Sequence, residues 1–201
     1  IDDLFIDLFQ KQIPFKLTSS QKKCIEEIYN DIKKASPMKR LLQGDVGSGK
    51  TIVAAAAVTA TIKNNKQAAL MAPTEVLAEQ HLTSFKKYLE YFDVDIHLLT
   101  SSVKDREDIY EIIDRGDPVL IIGTHALIQD KVNFNNLGLA IIDEQQRFGV
   151  EQRKKLVDND DFTPHQLVMT ATPIPRTTAL AIYGDLELSL IHISEPTRRT
   201  P

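Results

Sequence analysis

Apolar and polar positions along this chain follow two rhythms. Short runs rich in Leu, Ile, Val and Ala ("KRLLQ", "QAALMA", "VDIHLL", "PVLIIG", "LGLAIID" and "QLVMT") are bounded by polar or glycine residues and read as strands. Longer stretches of helical period lie between them. "KTIVAAAAVTATIK" follows a glycine-rich loop, and "TEVLAEQHLTSFKKYLEYF" carries apolar residues at Val76, Leu77, Leu82, Phe85 and Leu89. "SVKDREDIYEIIDRG" closes on Gly116, and the earlier "QKKCIEEIYNDIKK" places Cys24, Ile25, Ile28 and Ile32 at helical spacing. Strands this apolar, separated by helices, predict an α/β fold whose parallel sheet is covered on both faces. Ligands of such sheets bind at the carboxyl ends of the strands. "NNK" at 64–66 and "VDNDDFTP" at 157–164 are polar connections.

Composition refines this picture in three ways. With 201 residues, 42% hydrophobic and 26% charged, the chain suits one soluble domain with one substantial core. A formal net charge of −4 and a pI near 5.7 argue against holding nucleic acid by bulk electrostatics, so any such contact must be local. The single cysteine, Cys24, is expected in the core and permits neither an intrachain disulfide nor a cysteine metal cluster. The longest apolar stretch, "IVAAAAVTATI", is too short and too rich in Ala to span a bilayer. "IDDLFIDLFQ" lacks the basic start of a signal peptide and also lacks Met, so the chain is expected to begin within a longer protein.

The candidate chemistry starts at "GDVGSGKT", residues 44–51, where Gly, four residues, Gly, Lys and Thr make a phosphate loop between a strand and a helix. Glycines let backbone amides turn towards phosphate oxygens, and the new helix points its positive end at the same place. Lys50 is expected to hold the β- and γ-phosphates, and the Thr51 hydroxyl to ligate Mg²⁺. "IIDEQQRFG", residues 141–149, ends a strand in two carboxylates, which suits Asp143 to the metal and Glu144 to the attacking water. In "FKLTSSQ", Thr18 or Ser19 caps the next helix. Phe15 and Gln21 there fit either an adenine site or plain packing and capping. "TAT", residues 170–172, ends another strand; its hydroxyls face the Gln145–Gln146 side or are ordinary strand-end threonines. The five histidines, His81, His97, His125, His165 and His192, form no i, i+4 metal pair.

Taken in order, "LLQGDVGSGKT", "APTEVLAEQH", "GTHALI", "DEQQRFGVEQR" and "MTATPIPRTTALAIYGDL" resemble the first motor domain of superfamily 2 helicases, and more narrowly the RecG family of bacterial ATP-dependent DNA translocases. The likeness runs from about residue 15 to 186. It implies a three-layer α/β/α RecA-like P-loop NTPase domain with a mainly parallel sheet, using ATP and Mg²⁺. Phe15 and Gln21 fall in the family's adenine motif, and Gly44, Gly47, Ser48, Gly49, Lys50 and Thr51 in its phosphate loop. Asp143, Glu144 and Gln146 match its acidic motif, with Thr51 and Asp143 on the metal. Pro73, Thr74, Gly123, Thr124 and His125 match loops that meet the backbone of the tracked DNA strand. Thr170, Ala171 and Thr172 match the motif that couples nucleotide state to DNA grip. The implied protein is a cytoplasmic, nucleoid-associated bacterial monomer that works on branched double-stranded DNA, forks and Holliday junctions, with no membrane partner.

The sequence departs from that family at two places. Gln146 stands where RecG proteins usually carry His, although its amide can still bond to Thr170 or Thr172. After "YGDLELS" the chain reads "LIHISEPTRRTP", which resembles a translated sequencing adapter; residues 190–201 are expected to be non-native and poorly packed. Residues 1–14 are expected to be a linker from an upstream wedge domain, and 15–189 the motor domain. Without a second motor domain and its arginine finger, such a fragment is expected to bind ATP weakly and to turn it over very slowly, since that arginine contributes roughly 10³ to 10⁵ in rate. Three other readings remain open at this level: a transcription-repair coupling translocase, which shares "GDVG", "RFGV" and "TATPIPRT"; a P-loop small-molecule kinase; and a non-catalytic nucleotide-binding module.

Overall fold

All six strands expected from the apolar runs form, and a seventh joins them. The structure, a computed structural model, describes residues 3–143, 155–157, 163–175, 177–178 and 187–191. Helices α1 (Asp3–Gln12) and α2 (Ser19–Ile32) precede strand β1 (Lys39–Gly44). There follow α3 (Lys50–Lys63), β2 (Gln67–Met71), α4 (Glu75–Tyr88), β3 (Ile96–Leu99), α5 (Glu107–Arg115) and β4 (Leu120–Gly123). A 3₁₀ turn (His125–Ile128), β5 (Leu137–Asp143), β6 (His165–Thr170) and β7 (Glu187–Ile191) complete the described elements. The sheet order is β3-β4-β2-β5-β6-β1-β7, and every pairing is parallel.

Alternation along the strands divides the core into two layers. Leu42, Ala68, Leu70, Leu120, Ile122, Leu139, Ile141, Leu167 and Met169 face α1 to α4. Their neighbours Leu41, Ala69, Met71, Ile121, Ala140, Ile142 and Val168 face α5, the 3₁₀ turn and residues 156–157. This two-residue period gives the three-layer α/β/α arrangement expected for uninterrupted apolar strands covered on both sides. Helix α3 is buried from Ile52 to Ile62, which explains its run of alanines: small side chains let sheet and neighbouring helices approach from several sides. Its buried Thr59 and Thr61 hydroxyls donate to the carbonyls of Ala55 and Ala57 one turn earlier, so neither is left unsatisfied. Gly116 closes α5 in the left-handed conformation, the expected helix stop.

Elements of the structure cross both expected boundaries. Within residues 1–14, α1 packs on the domain. Phe5, Phe9 and Ile13 recur every four residues and are buried; Phe5 stacks on Tyr29 at 4.5 Å, and Phe9 meets Phe92 at 5.1 Å. The Lys63 ammonium lies 5.3 Å from the Phe5 ring centre. At the other end, Leu190 and Ile191 pair in register with Gln43 and Gly44, so the segment expected to pack poorly starts inside β7. Residues 192–201 lie outside the described residues.

A buried ionic cluster joins α2, β1 and β7. Arg40 donates to Asp31 through Nε (2.8 Å) and Nη2, and through Nη1 to Glu27 (3.1 Å) and Ser189 Oγ (2.7 Å). Close by, Met38 N donates to His165 Nδ1 at 2.9 Å, which leaves the imidazole proton on Nε2. Burial pushes the His165 pKa below its ordinary value, opposed in part by the charge of Asp31. The unfolded chain therefore binds more protons at this residue than the native one. The stability it contributes is complete above pH of about 6.5 and falls as the pH drops towards the native pKa. Urea denaturation between pH 7.5 and 5.5 is expected to show this loss, and His165→Phe to flatten it; an unchanged slope in the variant would assign the loss elsewhere.

Candidate nucleotide and nucleic-acid site

Because all strands are parallel, the loops leaving β1, β2, β4, β5 and β6 open on one edge of the sheet. The loop after β1 is shaped by two glycines. Gly47 has φ +82° and Gly49 φ +84°, in the left-handed region that side chains other than glycine resist. At Gly49 a Cβ would also come within 2.1 Å of Gln21 Nε2, so a larger residue there would displace the Gln21 amide. Gly49 is the N-cap of α3 and has no side-chain cap, which leaves the amides of the first helical turn directed at the loop. Ser48 is buried and, among the described residues, its Oγ has no hydrogen-bond partner. An orphaned buried hydroxyl at a helix N-terminus is what a bound phosphate oxygen would satisfy.

Lys50 folds back over this loop, its Nζ donating to the carbonyls of Gly44 (2.5 Å) and Asp45 (3.0 Å). Burial lowers its pKa, while the charges of Asp143 and Asp45 oppose that shift. The charge of Asp143 thus acts on Lys50 from the end of β5, with β6 lying between β5 and β1. Asp143, the last residue of β5, is 6% exposed. Its Oδ2 lies 2.6 Å from His81 Nε2, and among the described residues no hydrogen bond engages Oδ1. Thr170 ends β6, the strand between β5 and β1; its Oγ1 accepts from Thr172 N at 3.1 Å and turns the chain through Ala171. Thr51 lies in the first turn of α3, partly buried. A threonine hydroxyl, a carboxylate and incoming phosphate oxygens form an all-oxygen donor set, which fits Mg²⁺.

The adenine-motif residues take a different arrangement from a simple base-reading pair. Thr18 is the N-cap of α2 and forms a reciprocal capping box with Gln21, whose Oε1 accepts from Thr18 N at 2.9 Å. Gln21 Nε2 donates to Ser48 O at 3.0 Å, so this side chain braces the phosphate loop from below. Phe15 is 39% exposed and meets Tyr88 edge-on at 5.9 Å. Gln10 of α1 secures the intervening backbone, donating to Phe15 O and accepting from Leu17 N, each at 2.8 Å.

The expected DNA-facing residues lie on the other side of β5 along the same edge. Pro73 and Thr74 follow β2, and Thr74 Oγ1 caps α4 by accepting from Leu77 N at 3.3 Å. Gly123 ends β4, where a Cβ would meet Leu99 O at 2.2 Å. Thr124 is buried with its Oγ1 unpartnered, whereas His125 is exposed. Glu144 and Gln146 lie outside the described residues. His81 is the site residue that motif reading passed over. Its place between Ala78 and Phe85 on the buried side of α4 is the signal that could have found it. Among the described residues no cluster of three or more His, Cys, Asp or Glu suits a metal, and no helix is long and apolar enough to cross a membrane.

Comparison with known proteins places this fold among helicases. RecG, the ATP-dependent DNA helicase of Aquifex aeolicus (strain VF5), is 50% identical over 202 residues, covering 99% of this chain and 26% of that protein. RecG of Bacillus subtilis (strain 168) is 52% identical over 185 residues, covering 91% of this chain and 27% of its own. The chain thus spans about a quarter of the length of these relatives. A solved structure of RecG bound to a three-way DNA junction superposes over the whole chain and 27% of its own, with a TM-score of 0.84 and 42% identity. A DEAD box protein from Methanococcus jannaschii matches the fold alone, with a TM-score of 0.67 and 21% identity over 96% of this chain and 54% of its own. The family model for DEAD/DEAH box helicases matches residues 18–180. Since that match takes in most of the chain, with the site elements from Gln21 to Thr172 inside it, the chain belongs to the DEAD/DEAH box helicase family.

Proposed function

We propose that this chain is the nucleotide-binding motor domain of an ATP-dependent DNA helicase that works on branched DNA. The observation that carries the reading is the glycine loop at the start of α3, where, among the described residues, the buried Ser48 hydroxyl has no partner and Lys50 feels the charge of Asp143 from the end of β5. In this reading the loop amides and Lys50 bind the phosphates of ATP, and Thr51 and Asp143 hold the accompanying Mg²⁺. Bound Mg²⁺ would neutralise phosphate charge. Glu144, next after the metal carboxylate, orients and deprotonates water. Thr170 and Thr172 sit where a change around the terminal phosphate meets the strand between β5 and β1. Pro73, Thr74, Thr124 and His125 present backbone and small polar groups to a DNA strand, contacts that set position without reading sequence and need no net positive charge.

Membership of a helicase family sets aside the small-molecule kinase. The likeness to RecG favours branched DNA over a transcription-coupled role, and the two are separated by whether the full-length protein binds a three-way junction or co-purifies with RNA polymerase. In the full-length protein, branched DNA is expected to stimulate ATP hydrolysis. Glu144→Gln is expected to keep ATP binding while lowering hydrolysis by roughly 10²- to 10⁴-fold, the usual contribution of a positioned base. Unchanged DNA-stimulated hydrolysis in this variant would remove Glu144 from the mechanism and undercut the motor reading.

A further inference from the structure

His81 makes a contact that none of the roles assigned so far uses. It lies on the buried side of α4, its ring edge-on to Phe85 at 6.4 Å. Its Nε2 is 2.6 Å from Asp143 Oδ2, and the two side chains are only 13% and 9% exposed. A carboxylate at the end of a strand can rotate about its side-chain bonds, and a buried hydrogen bond from a helix residue removes that freedom. Asp143 accepts, so the imidazole donates from Nε2. The helix that supplies the donor is itself well fixed. Thr74 caps its start, Ala78 and Phe85 are fully buried, and its packing partners are α3, β3 and β4.

We propose that His81 is the positioning residue of the metal carboxylate: by holding Oδ2 of Asp143 it presents Oδ1 to the Mg²⁺ that accompanies ATP. This rests on the reading of Asp143 as a metal ligand. Carboxylates that bind metals are themselves held by hydrogen bonds, and losing such a partner typically weakens metal affinity by roughly 10- to 100-fold. The same bond ties the metal carboxylate to the helix that begins at Thr74, one of the residues assigned to the DNA strand.

The test is the affinity of this chain for a fluorescent ATP analogue, measured in saturating Mg²⁺ and in EDTA. The ratio of the two isolates the metal's contribution. His81→Ala is expected to cut the Mg²⁺-dependent gain by about tenfold or more, leave the EDTA affinity unchanged, and keep a cooperative thermal transition. His81→Gln, whose side-chain amide can still donate to Asp143, is expected to recover part of the gain, and it decides the matter should the alanine variant fail to fold. A wild-type gain in His81→Ala would overturn the proposal. So would a larger gain, which would mean that His81 competes with the metal for Asp143. Asp143→Asn separates the two levels. If it loses the gain while His81→Ala keeps it, only the positioning role fails; if it keeps the gain, the reading of Asp143 fails and the proposal with it.

Discussion

Lys50→Ala is expected to weaken binding of Mg·ATP to this chain by roughly 10- to 100-fold, equivalent to about 1.5–3 kcal/mol for hydrogen bonds to a charged group. The ammonium is held over the loop by the carbonyls of Gly44 and Asp45. Those carbonyl contacts substitute for solvent in a partly buried position, where burial works against the charged form. An arriving phosphate adds negative charge beside a partly buried cation, so the side chain gains more from the ligand than an exposed lysine would. Alanine removes that gain and leaves the glycine loop and the helix start intact, because Gly47, Gly49 and the Gln21 brace do not depend on it. Fluorescence titration with an ATP analogue measures the loss, and thermal melting of the same sample should shift little. Binding within a factor of two of the unmodified chain would mean that the loop amides alone hold the phosphates, and the role assigned to Lys50 would have to be withdrawn.

Arg40→Ala is expected to have the largest effect on stability, a loss of about 3–5 kcal/mol. For a chain of this length that corresponds to a fall in Tm of roughly 6–20 °C, at about 2–4 °C per kcal/mol. The reason is burial: Arg40 is 5% exposed and Asp31 also 5%, and the guanidinium satisfies Asp31, Glu27 and Ser189 at once. Burial alone would raise the Asp31 carboxyl, but the hydrogen bonds and charges of Lys34 and Arg40 outweigh it and hold the group below its ordinary value. Its contribution is therefore present above pH of about 4 and is lost as the pH falls through the native pKa. Without Arg40 the carboxylate remains buried with, among the described residues, Lys34 to offset it. Urea denaturation of Arg40→Ala, beside the double variant Arg40→Met with Asp31→Leu, tests this account. The double variant should recover much of the loss, since replacing both charges by apolar groups avoids stranding one of them. A single variant as stable as the parent would show that the cluster contributes no net stability.

Both predictions also show how unevenly the molecule can be read from its chain. The Lys50 site was legible because its determinants are local: the spacing of glycines, the lysine and the helix behind them occupies eight consecutive residues, and backbone geometry follows directly from it. The Arg40 cluster was not, because Glu27, Asp31, Arg40 and Ser189 share no motif, and Ser189 is 149 residues from the arginine. Helix α1 was obscured by its acidic residues. Its Phe5, Phe9 and Ile13 repeat is helical, but only the presence of Tyr29 and Phe92 opposite makes it part of the core. Gln21 shows the intermediate case, since its capping box with Thr18 is local and readable while its bond to Ser48 needs the phosphate loop brought against α2.

The amino-acid sequence by itself determined the α/β class, six of the seven described strands, the two-faced burial of the sheet and the glycine loop ahead of α3. All of these follow from hydrophobic period and from backbone preferences acting over a few residues. Only the tertiary structure decided that His81 bonds to Asp143 across 62 residues, that α1 belongs to the core, that β7 joins the sheet beside β1, and that Gln21 bonds to Ser48 of the loop as well as capping α2. Such contacts depend on which strand lies beside which and which helix crosses which face. Sequence period sets the face a residue occupies, but not the residue it will meet there.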